Sequence, residues 1–300
     1  MKDAIVKNDK LIENKAYEHN IANTDIYKSY KNSPYLSIKQ SSYFQVYSEL
    51  FEKYREKNIT FVEIGVLNGG SLFMWRDYFG SNVRIIGVDL NPLAKMWEKD
   101  GFEIHIGSQS DPIFWKNFFK VVGPVDVILD DGGHTFEQQI VTAHNCIPNI
   151  NDGGLLVVED THTSYFNSFG YPSKYTFIEW TKKLIDNINS RFPNVKTSNL
   201  IYKNFIYSIT TFESIVSFSI NRKKCFECEP TSNDGINIDA KDFRYDGSVV
   251  GKITDFEQIL AKRLSSIKHI PIVRAIKKYI FGAPKYLLIK MRMANVKKYF

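Results

Sequence analysis

The chain has 300 residues, 43% hydrophobic and 14% aromatic, which is too apolar for a disordered chain and enough to bury a large core. Lys and Arg number 39 against 33 Asp and Glu, a formal charge of +6, a mild excess of the sort that suits a polyanion or a membrane surface. Eleven of those basic residues lie in 262–300, which holds no acid, and the other 28 face all 33 acids, so an acidic body carries a basic tail and a nucleic-acid groove in the body is disfavoured.

Met1 to Lys15 mixes charges and lacks the apolar core of a signal peptide. No stretch approaches 18 uninterrupted apolar residues, so no transmembrane helix is expected. Cys146, Cys225 and Cys228 are too few for a disulfide framework and fit a reducing cytoplasm. Cys225 and Cys228 form a lone C-x-x-C with no second ligand pair for zinc, and read as ordinary thiols. Residues 1–40 are polar and rich in Asn, Lys and Tyr. They read as an arm with short helical pieces, a candidate cover for an active site. Ser41 to Lys57 has the spacing of an amphipathic helix, with Phe44, Val46, Tyr47, Leu50, Phe51 and Tyr54 as its apolar positions.

A regular alternation follows. Strands are expected over Ile59–Val66, Val83–Asp89, Phe102–Ile106, Val125–Asp130 and Gly154–Glu159. Helices are expected over Gly70–Phe79, Pro92–Asp100, Asp111–Lys120, Phe136–Ile150 and Ser173–Phe192. Strands alternating with helices specify βαβ units and a parallel sheet, and the near-continuous apolar strands specify cover on both faces. Phe205–Thr211 and Ser214–Ile220 are β-rich and only a few residues apart. No crossover helix fits between them, so they form an antiparallel hairpin at the sheet edge. Residues 221–251 are irregular; Ile253–Leu264, Ile272–Phe281 and Tyr286–Phe300 read as helices. The expected organisation is an arm (1–40), an α/β domain (41–220) and a C-terminal extension (221–300).

Ligands of an open parallel sheet bind at the C-terminal ends of its strands. The first strand leads into Glu63-x-Gly65-x-x-Asn68-Gly69-Gly70-Ser71. Glycines there let the backbone approach a ligand and begin a helix. The second strand ends at Asp89, placed to accept ribose hydroxyls. The third leads into Ser108-Gln109-Ser110-Asp111, small and polar, suited to the edge of an adenine. Together these indicate a nucleoside cofactor. The fourth and fifth strands end in Asp130-Asp131-Gly132-Gly133-His134 and Glu159-Asp160-Thr161-His162. Neighbouring strands lie roughly 5 Å apart, so four carboxylates and two imidazoles converge. Such carboxylates repel one another, and a hard divalent cation resolves the repulsion. The plainer reading is that these acids cap helices or pair with Lys and Arg.

These motifs, with Asp131-Gly-Gly-His134 and Glu159-Asp160-x-x-Thr-Ser-Tyr, resemble the class I S-adenosylmethionine-dependent methyltransferases. More narrowly, they resemble the metal-dependent sugar O-methyltransferases of the macrolide (mycinamicin and macrocin) type, over roughly residues 22–220. The resemblance implies a Rossmann-like, seven-stranded, mostly parallel sheet with an antiparallel edge hairpin and helices on both faces. It implies that Glu63, Gly65, Asn68, Gly69 and Ser71 border the methionine side, Asp89 the ribose, and Ser108 and Gln109 the adenine. Asp130 would sit near the sulfonium and amino groups. Asp131, Glu159 and Asp160 would ligate Mg²⁺ (or Mn²⁺), with Asp131 and His134 as catalytic residues and His134 the general base. The acceptor would be a sugar hydroxyl. His162 stands where the family often has a bulky or aromatic residue.

Cation binding lowers the pKa of an alcohol, and an imidazole titrates near neutrality and can take its proton. Tyr165, Phe166, Phe169, Tyr171 and Tyr175 either stack on a sugar or pack their own loop. Two other readings compete: a nicotinamide-dependent oxidoreductase, which the missing G-x-G-x-x-G disfavours, and a non-enzymatic membrane-associated scaffold. In the tail, Ile272, Val273, Ile276, Tyr279 and Ile280 share a helical face, and Tyr286, Ile289, Met293 and Val296 extend an apolar stripe among lysines and arginines. Such a segment (262–300) lies on an anionic membrane, packs on its own body, or joins a second copy in a homo-oligomer.

Overall fold

The inner strands of the body carry apolar side chains on both faces, and helices cover the sheet they form on both. The computed structural model describes residues 20–197, 201–236, 238, 243–263, 271–293 and 296–299. It divides into two units, 1–230 and 231–300.

The first unit begins with α1 (Asp25–Asn32), capped by the Thr24 side chain accepting from the Tyr27 amide, and α2 (Tyr43–Phe51). The α/β alternation then runs β1 (Thr60–Ile64), α3 (Gly70–Phe79), β2 (Arg84–Asp89), β3 (Glu103–Ile106), α4 (Pro112–Val122), β4 (Val125–Asp130), α5 (Phe136–Cys146), β5 (Ile150–Val158) and α6 (Phe177–Asn189). The pair β6 (Ile206–Phe212) and β7 (Ile215–Ile220) closes it. The seven strands lie in the order β3-β2-β1-β4-β5-β7-β6. β1 through β5 pair in parallel; β7 is antiparallel to both β5 and β6. This is the expected seven-stranded, Rossmann-like sheet with its edge hairpin.

Alternation along the strands divides the core. Phe61, Ile85, Ile104, Val127, Leu129, Leu155 and Val157 pack with α1, α2 and α3 on one face. Val62, Ile64, Ile86, Val88, Ile128, Leu156 and Val158 pack with α4, α5 and α6 on the other. Aromatic rings fill the first face. Tyr47, Phe51, Phe61, Trp75 and Phe79 meet with centroids 5.0–6.0 Å apart, within the range where ring pairs attract.

Some boundaries differ from expectation. Pro92–Asp100 is a 3₁₀ run, capped by Asn91 accepting from the Leu93 amide and ended by left-handed Gly101. Helix α5 stops at Cys146, where a 3₁₀ turn containing Pro148 takes over. Helix α6 starts only at Phe177, where Thr176 accepts from the Glu179 amide. β5 begins four residues early, its first stretch tied by Asn151 to Asp126 and by Asp152 to Arg222.

The second unit contains α7 (Val249–Arg263), α8 (Pro271–Lys277) continuing through a π turn (Lys278–Gly282), and α9 (Ala283–Arg292). Glu257 pairs with Lys277 at 3.0 Å and also with Lys285. The expected Tyr286–Phe300 helix ends at Arg292, and Leu264 and Phe300 lie outside the described residues. No described helix is long and apolar enough to cross a membrane.

Candidate active site

Strand order reverses between β1 and β4, and a cavity of about 440 Å³ opens at the C-terminal ends of these strands. That volume suits a small-molecule ligand. Gly65, Asn68 and Ser71 line it after β1, Asp89 ends β2 beside it, and Ser108 and Gln109 follow β3. Asp131 and His134 follow β4, and Asp160 follows β5. Gly65 has φ +90°, and a Cβ there would stand 2.1 Å from the Asp131 carbonyl oxygen. The two loops touch through bare backbone.

Three expected cofactor residues lie off the wall. Glu63 is fully buried beneath it, accepting from Ser71 Oγ at 2.7 Å and Trp75 Nε1 at 3.0 Å. Its influence on the cavity passes through Ser71. Burial pushes its pKa to about 7, against the pull of Lys39. Asp130 is also buried. Its Oδ1 accepts from Gln109 Nε2 at 2.9 Å and the Gly132 amide at 3.2 Å, and Oδ2 has no hydrogen-bond partner among the described residues. Burial raises its pKa to about 7. Gly69 packs instead on Trp97, whose ring a Cβ would meet at 2.3 Å.

Two lining residues already serve the loops. Asp89 accepts from the Val66, Leu67 and Asn91 amides at 2.8, 3.0 and 2.8 Å, so it shapes the β1 loop. Gln109 Oε1 accepts from the Gly133 amide at 2.9 Å, which clamps the β3 loop to the β4 loop.

Asp131, His134 and Asp160 each present a ligand atom, and these atoms all lie within 4.8 Å of one another. His134 Nε2 is 3.3 Å from Asp160 Oδ2 and 4.0 Å from Asp131 Oδ1. Both His134 (φ 60°) and Asp160 (φ 53°) are left-handed, a strain of roughly 1–3 kcal/mol each that surrounding structure must hold. Thr163 is the brace: its Oγ1 reaches the carbonyls of His134 at 3.0 Å and Asp160 at 2.8 Å. A Thr135–Gln138 capping box then starts α5. The two half-buried carboxylates, with the His134 imidazole beside them, offer oxygen donors that fit a hard divalent cation.

The structure departs from the expected ligand set at Glu159. Its carboxylate is fully buried, and it pairs with Lys39 Nζ at 3.1 Å and accepts from the Tyr47 hydroxyl. The same Nζ donates to Asp131 Oδ2 at 2.6 Å. Burial alone would lower the Lys39 pKa, but Asp131, Glu159 and Glu63 raise it above its ordinary value. The amine is therefore charged. The plainer reading of the acids, pairing with a lysine, thus holds for Glu159 and for one oxygen of Asp131.

Sequence reasoning missed Lys39, Tyr43 and Ser214. Tyr43 donates to Asp160 Oδ1 and lies 2.9 Å from Ser214 Oγ. Tyr43 and Tyr47 are one helical turn apart, so α2 aims two phenols at two acids. His162 Nδ1 meets Ser214 Oγ at 2.5 Å and stands 3.8 Å from Asp160. From the arm, Leu36, Ser37 and Ile38 line the cavity. Tyr165, Phe166, Tyr171 and Tyr175 are exposed and Phe169 is half-buried; none of the five lines the cavity.

A methyltransferase-domain family model matches residues 62–161. The 8-demethyl-8-alpha-L-rhamnosyl tetracenomycin-C 2'-O-methyltransferase of Streptomyces olivaceus is 32% identical over 158 residues, 49% of this chain and 41% of that protein. The demethylmacrocin O-methyltransferase of Streptomyces fradiae is 30% identical over 154 residues, 47% of this chain and 38% of that one. The chain therefore spans about two fifths of the length of these relatives. A methyltransferase of the mycinamycin pathway, solved with Mg, SAH and mycinamycin VI, shares the fold. Its TM-score is 0.57 at 23% identity, covering 72% of this chain and 56% of that one. Residues 62–161 thus match a methyltransferase-domain model, and across that stretch the chain resembles sugar O-methyltransferases.

Proposed function

We propose that this chain, as the bearer of that domain, is an S-adenosylmethionine-dependent O-methyltransferase acting on a hydroxyl of a sugar or sugar-bearing metabolite, with Mg²⁺ or Mn²⁺. One observation carries the reading: the Asp131–His134–Asp160 cluster sits on the wall of the switch-point cavity. A nucleoside ligand and a cation-bound hydroxyl therefore meet in one space.

In this reading Gly65, Asn68 and Ser71 hold the methionine end and Asp89 the ribose. Ser108 and Gln109 border the adenine, and Gly69, Glu63 and Asp130 support the loops from behind. Asp131 and Asp160 hold the cation, which when bound lowers the pKa of the acceptor hydroxyl. Glu159 anchors their loops through Lys39. His134 Nε2 faces the carboxylates of Asp160 and Asp131 and would take the proton of the acceptor hydroxyl, while S-adenosylmethionine would supply the methyl group. The exposed tyrosines after β5 offer faces for a sugar ring. Surface-glycan or natural-product synthesis in the cytoplasm is the setting that fits such an acceptor. Isothermal titration tests the reading against the nicotinamide alternative. Micromolar binding of S-adenosylhomocysteine and none of NADH is expected; the reverse refutes it.

We further propose that the tail touches an anionic membrane. Tyr279, Ile280, Tyr286 and Leu287 are exposed among Lys277, Lys278, Lys290 and Arg292. Liposome flotation of the full chain and residues 1–261 decides: equal flotation refutes this contact and leaves packing on the chain's own body or on a second copy as the tail's role.

A further inference from the structure

Lys39 stands among the site's acids, and the reaction just described gives it no chemical step. Its side chain is 2% exposed. A buried ammonium is costly unless paired, and this one has two carboxylate partners, at 2.6 and 3.1 Å. Its position in the chain matters as much as its charge. Leu36, Ser37 and Ile38, just before it, form part of the cavity wall. The upstream end of that wall is pinned to the body. Ser33 Oγ donates to the Gly70 carbonyl at 2.7 Å, and the Tyr35 ring meets Trp97 at 4.5 Å. Downstream, Lys39 ties it to the ends of β4 and β5.

We propose that Lys39 is a positioning residue: its ammonium latches the Leu36–Ile38 wall onto Asp131 and Glu159, and its charge sets how strongly the open carboxylates hold a divalent cation. The proposal rests on the methyltransferase reading above. Asp131, Glu159 and Asp160 carry three formal negative charges, and Lys39 reduces the set to two, the charge one divalent cation neutralises. Without Lys39 the site is more anionic and its wall is loose. Affinity for the cation then rises while affinity for the nucleoside ligand falls. A purely structural lysine predicts losses in both.

The test uses the full chain and two probes, Mn²⁺ followed by electron paramagnetic resonance and S-adenosylhomocysteine followed by calorimetry. Lys39→Met should tighten Mn²⁺ about tenfold, since a unit charge is removed a few ångströms from the ligands. It should weaken S-adenosylhomocysteine about tenfold, the cost of ordering a freed wall segment on binding. Lys39→Arg, which keeps the charge and the donors, should restore both to within about threefold. Lys39→Met leaves the buried Glu159 carboxyl without its ammonium partner, so Lys39→Met with Glu159→Gln carries the test if the single variant does not fold. That pair restores the formal charge of the set without the latch. Mn²⁺ affinity should return to within about threefold of the wild type, and S-adenosylhomocysteine should stay weak. Wild-type S-adenosylhomocysteine affinity in the double variant, or Mn²⁺ affinity that does not rise in a folded Lys39→Met, overturns the proposal. A wild-type chain that binds neither probe overturns the methyltransferase reading itself.

Discussion

Gly65→Ala is the sharpest single test of how the cavity is built. The residue has φ +90°, and an added Cβ would stand 2.1 Å from the Asp131 carbonyl oxygen, 2.9 Å from its carbon and 3.1 Å from Gly132 Cα. All three are backbone atoms, so no side chain can rotate away. A non-glycine residue at such a φ costs roughly 1–3 kcal/mol, and forced overpacking costs about 1–3 kcal/mol more. Reduced freedom of the unfolded chain offsets about 0.4–1 kcal/mol. The net loss is about 3 kcal/mol, or a fall in Tm of roughly 6–12 °C for a unit of this size. Relief comes from moving the Asp131–Gly132 peptide away from β1. Asp131 is both cavity wall and proposed cation ligand, so S-adenosylhomocysteine affinity should fall at least about tenfold. Differential scanning fluorimetry and calorimetry read the two effects. A Tm within about 2 °C of wild type, with affinity unchanged, would show that the loops do not meet as described.

His134→Asn keeps a residue that tolerates the left-handed backbone (φ 60°). It should leave S-adenosylhomocysteine affinity within about threefold while cutting turnover about a hundredfold; an unchanged rate removes the base role. Glu63 should make stability depend on pH. Its folded pKa is raised to about 7 from an ordinary 4.5, so the folded chain holds this proton more tightly than the unfolded one. Its contribution is full below about pH 4.5 and is lost as pH rises through 7. Glu63→Gln should flatten that part of the unfolding profile, and an unaltered profile assigns the dependence elsewhere. Tyr43→Phe removes the hydroxyl that donates to Asp160. It should lower stability by about 1–3 kcal/mol in chemical denaturation, and a neutral effect would detach α2 from the site.

The sheet was legible because each strand is a short apolar run between turn residues, and because parallel strands must be covered on both faces. The site was partly legible for the same reason. Asp89, Ser108, Gln109, Asp131, His134 and Asp160 directly follow or end strands, and sheet topology alone gathers strand ends. Depth below the cavity could not be read. Glu63, Asp130 and Glu159 also sit at strand ends, yet their side chains are buried. Alternation tells which face a side chain takes, and packing decides whether it meets solvent. Lys39 was invisible for a different reason. It lies 92 residues from Asp131 and 120 from Glu159, and no local pattern distinguishes it from a surface lysine. Tyr47 was read as an apolar position of an amphipathic helix; it is buried as expected, but its hydroxyl reaches an acid. The 3₁₀ run at Pro92–Asp100 shows the remaining limit, since apolar spacing does not separate it from an α-helix.

The most direct measurement is methyl transfer from labelled S-adenosylmethionine into the saccharide fraction of a cell extract, with EDTA and with restored Mg²⁺. Label should enter saccharide, disappear in EDTA and return with the metal. Equal transfer in EDTA, or label confined to protein or nucleic acid, would contradict the account.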